Sequence, residues 1–440
     1  MTDAAAPATR NARAVSAPGA LIRFWPWLLL IAVACALPWA FYDFAHHRHS
    51  GFVISMLSQM GLMVIFALSY NMLMGQAGLL SFGHAIFFGF GGYVAAHMLN
   101  AIGAGDLPLP IELVPLAAGI VGLLFSGVLG YMATRQRATA FAMITMGMGE
   151  LITVSAMMFK AFFGGEGGIT TDRMVQNSLL GLTYAHGLQV YYLIVAWAAI
   201  CVGAMAFLTG TPLGRMANAC RDNHERAQFV GYDPKTVRFF QFLLAGFFAA
   251  IGGALFAITY EIVTFDAVAA PLSANALLMA YIGGSTVFAG PILGAILITL
   301  LQSGLSLLSN AWLVYVGIMF IAMVMFAPGG LSGIVVAHRP IARAGRLGRL
   351  AMPYLRLAVP AIVTVFGLVA MVELLSFLTI GEAAGRRLVL FGSPIDVHIA
   401  TPWVVAAICL IGGGVWMRWE GRRFHRVWEA LTADLKAAPV

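Results

Sequence analysis

The side chains able to do chemistry in this sequence are few, and most lie in a handful of short stretches. Residues 70–93 (YNMLMGQAGLLSFGHAIFFGFGGY) hold Asn71, Gln76, Ser81 and His84 among Gly75, Gly78, Gly83, Gly89, Gly91 and Gly92, between two apolar runs. Glycines let a backbone leave the helix, and uncharged amides and hydroxyls then bond either the freed peptide groups or a polar solute. Both roles stay open to Asn71, Gln76 and Ser81. For His84 the plainer reading is an interior hydrogen-bonded histidine, the sharper one a ligand or proton relay. Glu150 interrupts another apolar run. Charged and bare in hydrocarbon it would be costly, so it must face the bundle interior, a cavity or a partner. Glu373 raises the same question in a later run.

Two further stretches lie outside the apolar runs. Residues 164–169 (GGEGGI) precede Thr170, Thr171 and Asp172, but no glycine-rich motif ending in Gly-Lys-Ser/Thr occurs in the chain, so it cannot hydrolyse a nucleotide through a P-loop. Residues 211–240 (TPLGRMANACRDNHERAQFVGYDPKTVRFF) have helical periodicity. Leu213, Met216, Ala217, Cys220, Ala227 and Val230 form one apolar side, with Arg215, Arg221, Asp222, Glu225 and Arg226 opposite. Pro212 suits the helix start and Gly231 the residue just past its end. An amphipathic helix here suits docking to another protein, or it is an interfacial loop whose charges set topology. The four cysteines (Cys35, Cys201, Cys220 and Cys409) are isolated and give neither a disulfide framework nor metal spacing. No cofactor motif is present.

The elements that must position these residues are membrane helices. Of 440 residues 61% are hydrophobic and only 10% charged, which excludes an ordinary water-soluble domain. The mean hydropathy of +0.89 is spread along the chain, so many helices, each of about 20 apolar residues, are required. The net charge of +7 does not point to nucleic acid, because the arginines sit in short segments between apolar runs and so mark the cytoplasmic side.

Apolar runs occupy 24–44, 51–73, 82–100, 111–132, 138–159 and 188–210. Residues 1–23 read as a cytoplasmic tail, and the first run, flanked by Trp25, Trp27, Trp39 and Tyr42, as a membrane span rather than a cleaved signal peptide. Six crossings return the chain to the cytoplasm for residues 211–238 and also place Arg135 and Arg137 there. Residues 338–356, with five arginines and no acid, must be cytoplasmic too, so the number of crossings between is even. The run 272–308 is too long for one span, at about 55 Å of helix, and must break at Gly283, Gly284, Gly290 and Pro291 into a short segment, 272–284, and a full one. Runs 237–261, 311–328, 355–379 and 398–417 complete the count. The expectation is an all-α polytopic bundle of about twelve crossings with both termini cytoplasmic. Small residues at four-residue spacing (Gly122, Ser126, Gly130; Gly246, Ala250, Ala254) predict close helix contacts.

Residues 71–93 resemble the signature of the permease subunits of branched-chain amino-acid ABC importers, in particular their LivM-type half. Glu225, Arg226, Ala227 and Gly231, preceded by Gly214, Arg215, Arg221 and Asn223, resemble that family's coupling loop. So do GGEGGI after Glu150, residues 283–295 (GGSTVFAGPILGA) and residues 327–333 (APGGLSG). The resemblance covers roughly residues 50–335. It implies a permease domain, 24–335, that pairs with a second, LivH-like permease in the inner membrane. Two ATPase subunits dock on the coupling loops through residues such as Arg221, Asn223, Glu225, Ala227 and Gly231, and a periplasmic solute-binding protein delivers the substrate. The chain itself is then a transport subunit rather than an enzyme, with Asn71, Gln76, Ser81, His84 and Glu150 as candidate pathway residues. His224 departs from the family pattern, as does the extension 336–440 with two extra spans and a basic tail. An ion-coupled transporter or channel is the competing reading, but it leaves the coupling loop unexplained and offers few intramembrane acids. A membrane enzyme would need a cluster of catalytic groups near one interface, and none is found. Substrate candidates are branched-chain amino acids, urea, short amides, other amino acids and aromatic acids.

Overall fold

Apolar runs in hydrocarbon become helices because their peptide groups have no partner outside the segment. The computed structural model describes residues 20–43, 48–136, 138–174, 177–381, 388–390 and 393–437. The tail before residue 20 and Arg137 lie outside the described residues. Two compact units divide the chain. Residues 1–54 contain α1 (Ala20–Ala40) and a short antiparallel pair, Tyr42–Asp43 with Arg48–His49.

The second unit, residues 55–440, begins within α2 (Gly51–Asn71) and continues through α3 (Ala85–Ala104), α4 (Val114–Ala133), α5 (Ala138–Met158), the short α6 (Lys160–Phe163) and α7 (Gly187–Gly210). Then follow α8 (Pro212–Asp222), α9 (His224–Phe229) and α10 (Pro234–Tyr260). After these come α11 (Ala270–Gly283), α12 (Gly290–Leu305), α13 (Trp312–Phe326), α14 (Gly330–Arg343), α15 (Gly348–Ser376) and α16 (Ala400–Ala437).

Among the described residues nine helical segments are long and apolar enough to cross a membrane, or ten if α13 and α14, bent by 40°, form one span. The fold is therefore the expected all-α polytopic bundle, but these nine or ten segments are fewer than the twelve crossings expected, in part because α12 and α13 are too short to pass as full spans by themselves. The break in the run 272–308 falls at the anticipated glycines, with α11 ending at Gly283 and α12 starting at Gly290. The short segments are more numerous than the sequence suggests. Preceded by the 3-10 turn Phe265–Ala267, α11 belongs to a 19-residue segment, whereas α12 and α13 have 16 and 15 residues and reach only about 24 and 22 Å.

The centre of the second unit is α10, packed against α3 and α4. The two stripes of small residues face each other there: Gly122 of α4 lies on Ala250 of α10, and Gly246 of α10 on Ser126 of α4. Ser126 Oγ also donates to the Leu243 carbonyl at 3.3 Å. On the other side of α10 the approach is backbone to backbone, with Gly253 against the Phe88 carbonyl and Gly91 against Ala250. Van der Waals packing of this kind, rather than a hydrophobic force, holds helices together in lipid. The last two long helices form a hairpin whose apolar contact includes Ala370, Leu374, Val397 and Ala406. Glu373 is accounted for by Tyr315 of α13, whose hydroxyl donates to it at 2.8 Å.

Candidate functional site

At residue 72 the regular turns of α2 give way to a π turn, Met72–Gln76, and the chain then runs unwound to α3. Gly78 sits at φ +67°, a conformation other residues adopt at a penalty, and the Cβ of any replacement would lie 2.7 Å from Arg221 Cγ. Within this stretch Asn71, Gln76, Ser81 and His84 are all buried in the chain. Among the described residues Asn71 Oδ1, Gln76 Oε1, Ser81 Oγ and His84 Nδ1 each lack a hydrogen-bond partner. Ser69 Oγ donates to the Phe66 carbonyl at 2.7 Å, so it accepts from His84 Nε2 at 2.9 Å and leaves Nδ1 of the neutral ring as a bare acceptor. The His84 ring stacks on Phe66 at 5.4 Å and meets Tyr70 edge-on at 5.3 Å. The crevice beside Ser81, lined by Gly83, Thr145, Met148 and Phe242 among others, is too tight to admit a water molecule. The chain is closed at that place in this conformation.

The unwound stretch is instead where separate motifs meet. Gly75 lies against the Ser285 carbonyl in the break between α11 and α12. Gly284 in that break abuts Gly329, and Ser332 Oγ donates to the Gly284 carbonyl at 3.4 Å. From the other side Arg221, at the end of α8, donates through Nη1 to the Gly75 carbonyl. Four of the five motifs noted above thus form one contiguous node. The fifth, GGEGGI, is elsewhere: Ile169 pairs with Val263 and Gly168 packs on the Val263 carbonyl.

The segment 211–238 is two helices, where the sequence pattern suggests one. Asn223 breaks it, in extended conformation, and its side chain accepts from the Arg226 amide at 2.9 Å to cap α9. Asp233 caps α10 in the same way, and hydrogen bonds from the Thr236 hydroxyl and the Lys235 and Thr236 amides hold its carboxyl below the usual range. Ala217, Cys220, Ala227 and Val237 are buried together with Leu213 and Met216 packed on them, and burial pushes the Cys220 thiol up. Val230 does not belong to this side as the periodicity suggests; the break at Asn223 rotates it outward. It is 68% exposed, next to Phe229 at 90% and Tyr232 at 43%. Gly231 takes φ +89°, which turns the chain sharply after this apolar knuckle. Glu225 is exposed beside it, Ala227 buried beneath it.

Glu150 stands apart from the buried cluster. It is exposed on α5, on a face that also exposes Met143, Met146, Leu151 and Val154. The interior of this chain is therefore ruled out as its surrounding. A second acid, Glu112 at the start of the run 111–132, was not singled out from the sequence. It is buried and accepts from Ser178 Oγ at 2.7 Å, Tyr184 Oη at 3.0 Å and the Leu179 and Leu180 amides, so it fastens the loop after α6. Phe229 too escaped notice, although an apolar pair immediately before a glycine in a charged segment is a legible signal.

An unwound helix, a broken one packed against it and a knuckle-bearing segment fastened to the first define a polytopic membrane transport protein. Residues 52–327 match the family described as "Branched-chain amino acid transport system / permease component", and the chain belongs to it. It is 24% identical over 292 residues to the high-affinity branched-chain amino acid transport system permease protein LivM of Escherichia coli, covering 61% of this chain and 67% of that one. It is 25% identical over 270 residues to the ribose import permease protein RbsC of Haemophilus influenzae, with 58% and 77% covered. Identity to the branched-chain permease BraD of Pseudomonas aeruginosa is 21% over 286 residues, with 61% and 91% covered. No solved structure matches significantly. The protein is a permease component of an ABC importer and a multi-pass protein of the inner membrane.

Proposed function

We propose that this permease forms one half of a translocation pore whose other half is a LivH-like second permease. The pore moves a branched-chain amino acid or a similar small amphipathic solute inward by alternating access. Two ATPase subunits drive it and a periplasmic solute-binding protein supplies it. The observation that carries this reading is the knuckle of Phe229, Val230 and Tyr232, which is apolar and exposed on a segment otherwise rich in charge. Such residues suit a groove on a cytoplasmic ATPase, and Arg221 on the same segment connects it to the break in α2. Movement of the docked subunit then reaches Gly75, and through Ser285 the second break, without crossing the body of the bundle.

The crevice at Ser81 is closed, so the pathway lies on the surface of this chain, on the face of α5 that carries Glu150, against the second permease. In this reading Asn71, Gln76, Ser81 and His84 set the shape of the wall, and their unpaired acceptors take up partners in the other access state. The segments rich in arginine lie in the cytoplasm, with both termini. Glu225→Arg, or Gly231→Pro, which forces φ from +89° to about −65°, should leave the protein inserted and abolish ATPase co-purification. Co-purification at normal yield with both variants would refute the docking assignment.

A further inference from the structure

The C-terminal hairpin lies beyond the family match, which ends at residue 327, and a cavity of about 530 Å³ opens where its two helices come together at the arginine-rich end. It is lined by Arg349 and Arg356 of α15 and by Arg423, Arg426 and Asp434 of α16, with buried Leu431 in its wall. The spacing explains the convergence. Positions 349 and 356 are two turns apart on one face of α15, and 423, 426, 427, 430 and 434 follow one face of α16. The helices are held there by Ile341, Leu350 and Leu431, with Phe424 and Trp428 packed on them.

The charge in this cavity is unbalanced. Its one carboxylate, Asp434, is engaged at 3.6 Å by Arg346, and Arg423 is engaged by Glu420 at 3.1 Å and lies 3.5 Å over the Trp419 ring. Among the described residues Arg349, Arg356 and Arg426 have no ion-pair partner. Three guanidinium groups turned towards one space repel each other unless an anion joins them, and their planar forks match phosphate oxygens. The level is also informative. Tyr354, Trp416 and Trp419 are exposed around the same turns, as aromatic residues are at the headgroup layer. A topology signal needs arginines on the right side of the membrane, but does not need residues some 70 positions apart to share a cavity.

We propose that this cavity binds a phosphate group, carried either by an anionic lipid headgroup or by a soluble phosphorylated molecule. The test uses the full-length protein in nanodiscs of phosphatidylcholine with or without cardiolipin, and separately a titration with inorganic phosphate in neutral detergent. Retained cardiolipin with no response to phosphate identifies the lipid; binding of phosphate without cardiolipin retention identifies the soluble ligand. In either case R349A/R356A/R426A should weaken binding roughly a hundredfold, each arginine counting for about fivefold, and high salt should weaken it in the wild type. The pair R418A/R422A, on α16 but outside the cavity, should leave binding unchanged. The single variant R426Q, expected to show about a fivefold loss, reports on the site if the triple variant does not fold. Absence of both ligands from the wild type, or equal binding by wild type and cavity variants, or equal losses in the control pair, would overturn the proposal.

Discussion

Replacing Arg221 with alanine should uncouple ATP hydrolysis from solute movement while leaving the ATPase subunits attached. In the structure Arg221 does two things: its guanidinium donates to the Gly75 carbonyl, and its Cγ packs on Gly78. A hydrogen bond from a charged donor contributes about 1.5–3 kcal/mol when the groups are shielded from water. The Arg221 side chain is 34% exposed, so the lower end applies, and its ion pair with the 67% exposed Asp222 adds little. A loss of about 1.5 kcal/mol corresponds to roughly a tenfold shift in the equilibrium between linked and unlinked states. The assay is the ratio of ATP hydrolysed to solute accumulated in proteoliposomes containing the whole importer. That ratio should rise about tenfold in R221A and recover in part in R221K, which keeps one donor within reach. An unchanged ratio with normal assembly would mean that Arg221 is a surface ion pair and no link. Loss of the ATPase subunits would make it a docking contact instead.

Glu150→Gln tests where the pathway lies. Glu150 stands about 18 Å along the roughly 31 Å of α5, deep in the hydrocarbon, where a lipid-facing carboxylate would cost about 3 kcal/mol. On a pathway face the neutral variant should assemble at normal yield and transport more slowly; a gain in thermal stability with unchanged transport would place that face in lipid. Gly253→Ala should lower the melting temperature of the detergent-solubilised protein, by an amount equivalent to about 1–3 kcal/mol, because a Cβ there overlaps the Phe88 carbonyl and neither backbone can yield. Gly147→Ala, whose Cβ would meet nothing within 4 Å, is the matched control and should melt as wild type.

The helical class and the order of the apolar segments were legible because hydrocarbon imposes one rule on every span: satisfy the backbone within the segment. The break at Gly283 and Gly284 was legible for a related reason, since a 37-residue run exceeds the thickness it crosses. The cytoplasmic-type segment 211–238 could be found from its charges, but not its shape. The same periodicity accommodates one helix or two, and only the cap formed by Asn223 turns Phe229 and Val230 outward.

The candidate pathway residues show the sharper limit. Composition and spacing determined that polar groups and glycines cluster in residues 70–93, that Glu150 interrupts a span and that arginines crowd the chain's last third. Tertiary structure alone decided that Ser81 and His84 are sealed inside the chain, that Glu150 is on its surface, that Arg221 reaches Gly75, 146 positions away, and that Arg349 and Arg426 share a cavity. Hydropathy and charge are sums over neighbouring residues, and so they report which segments enter the membrane. Which face of a helix meets another depends on close contacts between backbones distant in sequence, and no local sum contains them.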